Sequence, residues 1–217
     1  MNHNAFTRPE RFSAAEWEAR VKLAACYRIF DHLGWSELIY NHLSLRVPGE
    51  PGQFLVNPFG LHYSEVTASN LVKVDVDGNV LGHSDWPINP AGFTFHGAIH
   101  RTLPDAHCVM HVHTTPTLAV CCLEEGLSFT NFYAAQLWGK VAYHDFEGIT
   151  VHAEEGARIL ASARASAGPL PSEPAPRGAW GRNGQQARSA ASQPRAGGHR
   201  AGIGAGLRVH VGGAARL

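Results

Sequence analysis

Asp105-Ala106-His107-Cys108-Val109-Met110-His111-Val112-His113-Thr114 is the stretch that decides how this 217-residue chain is read. Ala106, Cys108, Met110 and Val112 alternate with His107, Val109, His111 and His113, the period of two that marks a β-strand. Side chains two apart on a strand share a face, with Cα atoms roughly 6.5 Å apart. Imidazoles at that spacing can converge on one divalent ion, at Zn–N distances of about 2.0–2.1 Å. His111 and His113 are therefore candidate metal ligands, while the small and apolar opposite face suits a core. Two packed histidines bonded to backbone carbonyls would satisfy the same pattern without metal. A catalytic zinc takes three protein ligands, so this pair is one short. His107 shares the face but lies about 13 Å from His111 along a strand and cannot complete the site.

Just upstream, Asn89-Pro90 opens a helix expected over roughly Ala91 to Leu103, with Phe93, His96, His100 and Leu103 along one side. His96 and His100, one turn apart, either line a pocket or cover the sheet. Just downstream, Thr114 or Thr115 caps a helix with Pro116 at its first position and Leu118, Val120, Cys121 and Leu123 as an apolar side, ending at Gly126. Lys140 to Tyr143 reads as a further strand. Glu154 and Glu155 fall in the first turn of a last helix that runs to about Ala163.

Towards the N-terminus, residues 1–12 read as a loose arm. Ser13-Ala14-Ala15-Glu16 fits a capping box, and Trp17, Val21, Ala25, Ile29 and Leu33 form one stripe of an amphipathic helix closed by Gly34. From Asn41 the period becomes two. Leu43 to Val47 and Phe54 to Asn57 read as strands, Thr67 to Asn70 as a helical turn, and Leu71 to Val76 with Val80-Leu81 as a hairpin about Asp77-Gly78-Asn79. Helices alternating with largely antiparallel strands predict a mixed α/β layered domain.

Residues 1–163 carry ten Lys/Arg and seventeen Asp/Glu, a balance of −7, whereas residues 164–217 carry eight Arg and one acid, +7. Twelve Ala, eleven Gly, eight Arg and five Pro make up 36 of those last 54 residues, and neither period survives there. The chain thus divides into an N-terminal arm (1–12), a domain (13–163) and a low-complexity tail (164–217). The tail is either disordered or an out-of-frame reading of a GC-rich gene. A nucleic-acid role is disfavoured, because clustered basic residues and interleaved aromatics are both missing. No apolar run reaches 18 residues, and the first ten residues lack the apolar core of a secretory signal. Four cysteines without C-x-x-C spacing read as reduced thiols of a cytoplasmic protein.

As an ordered set, these residues resemble the class II aldolase/adducin family over about residues 18–163. The matching segments are Gly34 with Tyr40-Asn41-His42-Leu43-Ser44-Leu45-Arg46, then Asn57-Pro58-Phe59-Gly60, Asn89-Pro90-Ala91-Gly92-Phe93-Thr94-Phe95-His96, and Val109-Met110-His111-Val112-His113. The resemblance implies a three-layer α/β/α sandwich around a mixed, largely antiparallel sheet, incomplete at the C-terminal end. It also implies a homotetramer, a divalent metal (zinc in the aldolase branch) and small carbonyl or sugar-phosphate substrates. His111 and His113 match the first two metal ligands. The third would fall inside the tail, where His199 and His210 stand in Gly/Ala-rich surroundings. Gly60 matches the glycine of a phosphate-cradling turn, Asn41 and His42 either contact an anionic substrate or serve local capping and turn roles, and His96 is a further candidate for the substrate pocket. The proton-transferring glutamate aligns with Gly92 or Ala91, neither of which can carry a proton, so no catalytic residue is assigned. That departure resembles the adducin-type branch. Two functions stay open: a metal-dependent lyase, decarboxylase or epimerase-like enzyme, and a non-catalytic, adducin-head-like oligomerisation module with a vestigial pocket.

Overall fold

The computed structural model describes residues 8–148 and 152–166. In them, β1 (His42–Arg46), β2 (Gln53–Val56), β3 (Val72–Asp75) and β4 (Cys108–His111) form one sheet. Its order is β3-β2-β1-β4 and all three ladders are antiparallel, in line with the largely antiparallel expectation. A short turn joins β1 to β2, closed by the Val47 N–H donating to the Gln53 carbonyl at 3.0 Å. β4 arrives from some sixty residues downstream to pair with the free edge of β1, which is how distant histidines meet.

Helix α1 (Ala14–His32) covers one face of the sheet. Ala19, Leu23 and Tyr27 pack there with Leu43 of β1, Leu55 of β2, and Tyr63, Val66 and Leu71. Full burial of each leucine contributes about 1.5–3 kcal/mol. Helix α2 (Pro90–Thr102) covers the other face, where Phe93 meets Phe54, Val56, Val72 and Val74. Beside it, α5 (Ala153–Ser166) packs Ile159 and Leu160 against Phe95, Ile99 and Val109. Helix, sheet and helices make the three layers expected.

Several local expectations shift. The buried side of α1 is Glu16, Ala19, Arg20, Leu23 and Tyr27, whereas Ile29 and Leu33 stand exposed. An apolar pattern misplaced this face because its first turn is occupied by charges that satisfy one another: Arg20 Nε donates to Glu16 at 2.8 Å and Lys73 Nζ to its other oxygen at 3.0 Å. For the same reason the capping box is half formed. Ser13 Oγ accepts from the Glu16 N–H, but the Glu16 carboxylate turns inward. The N-terminal arm is not loose at its end, since Phe12 is buried, stacks on Trp17 at 5.8 Å and lies under the Arg20 guanidinium.

Asn89 caps α2 as expected, its side chain accepting from the Gly92 N–H. Helix α3 (Thr115–Cys121) is shorter than its apolar pattern suggested and buries none of its residues. A four-residue helix, α4 (Phe132–Ala135), follows. Residues 140–143 form no strand, and Val80 makes a single bridge to Val74. Among the described residues no helix is long and apolar enough to cross a membrane. Apart from Arg164–Ser166 in α5, the tail expected at 164–217 lies outside the described residues, as do His199 and His210.

Candidate metal centre

Two elements aim histidines into the layer between the sheet and α2. In the β1–β4 ladder His42 stands directly opposite His111, and Ser44 follows two residues later on the same face. From α2, His96 and His100, four residues apart, project from one side of the helix onto that face. His42, Ser44, His96, His100 and His111 are all buried.

They form one continuous hydrogen-bonded chain. His113 Nε2 lies 2.9 Å from His111 Nε2, and His111 Nδ1 lies 3.1 Å from His42 Nε2. His42 Nδ1 is 2.9 Å from His96 Nε2, and His96 Nδ1 is 2.6 Å from Ser44 Oγ. Ser44 Oγ then meets His100 Nε2 at 2.7 Å, and His100 Nδ1 meets the Ala106 carbonyl at 2.9 Å. At the outer end, His113 Nδ1 pairs with the carboxylate of Glu37, whose side chain is half exposed. Glu37 precedes Leu38, the one described non-glycine residue with positive φ, at 48°. That left-handed kink in a leucine is a local backbone cost spent beside the histidines.

Burial pushes His100 down to about 4 and His111 to about 3, with neighbouring cationic or imidazole groups adding a smaller effect in the same direction. His42 and His96 are held well below the ordinary histidine range, first by burial and then by the adjacent imidazoles. These rings are neutral at pH 7, the form that ligates metal.

The donor set fits a divalent ion in part. The Nε2 atoms of His111 and His113 face one another, while each opposite nitrogen is engaged, by His42 Nε2 for His111 and by the Glu37 carboxylate for His113. Outer-shell partners of this kind orient imidazole ligands and raise their basicity. Ligands on one tetrahedral zinc stand about 3.3 Å apart, so the two nitrogens need to open by only about 0.4 Å. Among the described residues no three His, Cys, Asp or Glu side chains are arranged so as to hold a metal ion together.

The remaining pocket residues expected from the sequence stand as follows. His42 and His96 join the chain. Asn41 is buried, but its amide Nδ2 donates to the Trp35 carbonyl at 2.8 Å, and its Oδ1 finds no partner among the described residues. That oxygen calls for a donor, not a phosphate oxygen. Gly60 sits in its turn at φ 100°, a left-handed value that suits glycine, with open space where a Cβ would be. No described hydrogen bond ties it to the histidines. Gly92 shows why a glutamate is absent there: a Cβ at this position would lie 2.4 Å from His42 Nε2. The ring of His42 fills the volume that a side chain at 92 would enter.

Two participants, Ser44 and Glu37, were not singled out by sequence reasoning. Ser44 carried a signal, since it lies two residues beyond His42 on a strand face. His100 was expected only to line a pocket or cover the sheet. Glu37 reads as a solvated charge in the sequence, and only the fold brings it to His113.

A layered antiparallel sheet between helices, with paired histidines at the end of one strand, is the architecture expected of a class II aldolase/adducin-like domain. Comparisons with known proteins agree with that class. The family model for the class II aldolase and adducin N-terminal domain matches residues 21–170, and the chain belongs to that family. It is 47% identical over 151 residues to a Caulobacter vibrioides protein named as a candidate class 2 aldolase, covering 70% of this chain and 59% of that one. It is 51% identical over 138 residues to alpha-adducin of Rattus norvegicus, covering 63% of this chain and 19% of the adducin. Among solved structures, an aldolase II superfamily protein from Pseudomonas syringae superposes with a TM-score of 0.68 at 44% identity, covering 70% of this chain and 61% of that one. The L-fuculose 1-phosphate aldolase of Glaciozyma antarctica PI12 superposes at 0.61 with 30% identity, covering 74% and 64%. The chain thus spans about three fifths of the bacterial curated relative.

Proposed function

We propose that this chain carries a divalent-metal site of the class II aldolase kind on His111 and His113, zinc being the first candidate, and acts on small hydroxy-carbonyl or sugar-phosphate compounds. The observation that supports this most is the convergence of two ring nitrogens, the Nε2 atoms of His111 and His113, each ring backed on its far side by an oriented partner. The similarity to an L-fuculose 1-phosphate aldolase supports the substrate class.

A bound divalent ion supplies Lewis-acid polarisation of a carbonyl oxygen. The chain's own residues hold and orient. Glu37 fixes the ring of His113, and His42 fixes the ring of His111. The buried layer behind them keeps water from the inner nitrogens. A proton carrier is not supplied at position 92, and the reaction lacks the typical 10²–10⁴-fold contribution of a positioned acid or base unless another group provides it. The reaction class is therefore aldehyde-lyase-like, decarboxylase or epimerase-like, in a cytoplasmic homo-oligomer. A cytoplasmic setting accords with four free cysteines.

A second reading is an adducin-head-like interaction module with a vestigial pocket. The 51% identity to alpha-adducin and the loss of a carboxylate at position 92 favour it. Exposed Leu123, Phe132, Tyr133 and Trp138 suit self-association in either reading. Incubating the full chain with zinc and L-fuculose 1-phosphate separates the two: release of an aldehyde product supports the enzyme, and an unchanged substrate beside a stable oligomer supports the module.

A further inference from the structure

We propose that Ser44, His96 and His100 form, with His42, a buried positioning chain that sets the tautomer of His111, leaving its Nε2 bare on the side that faces His113. This rests on the metal reading of His111 and His113 given above and names what prepares the first of them.

The polarity follows from a single fixed group. A carbonyl oxygen only accepts, so His100 Nδ1, 2.9 Å from the Ala106 oxygen, bears the proton. A neutral buried imidazole carries one proton, so His100 Nε2 is a lone pair and Ser44 Oγ must donate to it across 2.7 Å. The hydroxyl has no second proton, so it accepts from His96 Nδ1 at 2.6 Å, and His96 Nε2 is bare. That nitrogen accepts from His42 Nδ1 at 2.9 Å, leaving His42 Nε2 to accept from His111 Nδ1 at 3.1 Å. His111 therefore carries its proton inward and presents Nε2 outward. Reversing any link sets lone pair against lone pair, or proton against proton, among buried groups where such a mismatch is costly.

The anchor itself is clamped. Arg46 Nε donates to the Ala106 carbonyl at 3.1 Å, and its Nη2 reaches the carbonyls of His100 and Leu103. Phe54 stacks on the His100 ring with centroids 4.3 Å apart. The anchored end cannot rotate to accept the opposite polarity without breaking these contacts.

Histidine-selective ¹⁵N spectra of the full metal-free chain, in solution or as a solid, read the tautomer directly. The expected result is a His111 proton on Nδ1 with Nε2 unprotonated. A proton on Nε2 overturns the proposal. Ser44→Ala is expected to abolish that preference and weaken zinc binding about 10–100-fold, while Ser44→Thr, which keeps the hydroxyl, retains both. A Ser44→Ala chain with the parental His111 tautomer also overturns it. Should Ser44→Ala not fold, the tautomer in the parent chain decides alone. A parent with the Nδ1 proton that takes up no zinc removes the metal reading and leaves the positioning chain standing.

Discussion

Gly92 and His42 compete for one volume: a Cβ built on the glycine would stand 2.4 Å from Nε2 of the histidine. A carboxylate cannot be restored at position 92 while that imidazole bridges His111 and His96. Gly92→Glu alone is expected to destabilise the fold by about 1–3 kcal/mol, the usual cost of overpacking a filled core. Combining it with His42→Asn should recover most of that loss. Denaturant midpoints of the two variants check it, and a single variant as stable as the parent would contradict the shared volume.

Glu16 and Arg20 are both buried, and Lys73 reaches the second Glu16 oxygen. Glu16→Ala leaves the guanidinium uncompensated and should cost about 3–5 kcal/mol. The paired change Glu16→Leu with Arg20→Met should cost far less, because it removes both charges together. Chemical unfolding of the two variants distinguishes them; equal losses would mean that the pair is not the source.

Acid should unfold this protein early. Burial holds His100 at about 4 in the fold, against an ordinary value of 6.5. The unfolded chain therefore takes up its proton first as pH falls. Stability is fully present above about pH 6.5 and is lost progressively down to about pH 4, with His100 alone worth roughly 3 kcal/mol across that window. His96 shifts in the same direction and steepens the loss. Unfolding free energies measured from pH 7 to pH 4 should fall steeply, and a flat profile would contradict neutral burial.

Glu37 touches only the outer ring of the series. Glu37→Gln should leave unfolding free energy within about 1 kcal/mol, as for exposed ion pairs. It should nevertheless weaken zinc binding about 10–100-fold, because His113 loses the carboxylate that orients it. Calorimetric zinc titration beside thermal melts checks both halves of that expectation.

Much of this architecture was legible in the sequence wherever one side chain type set a period. The His-x-His strand, the Asn89-Pro90 start of α2 and the hairpins followed from alternation and turn residues. Periodicity misjudged α1, because its buried first turn is ionic and its exposed last turn is apolar. It also misjudged 140–143, where Lys140 and Tyr143 are exposed and no strand forms. The metal pair was readable as a two-residue spacing, although the strand itself ends at His111 and His113 lies just beyond it. Its supporting partners were not: Glu37, His96 and His100 meet it only through the β1–β4 register and the docking of α2, contacts that span many residues of chain.

The central claim is that His111 and His113 hold a divalent ion. The metal content of purified full-length chain after exposure to zinc and removal of excess tests it most directly, set beside His111→Ala. About one zinc per chain is expected in the parent and near none in the variant. Equal zinc in both, or less than about a tenth of an ion in the parent, would contradict it.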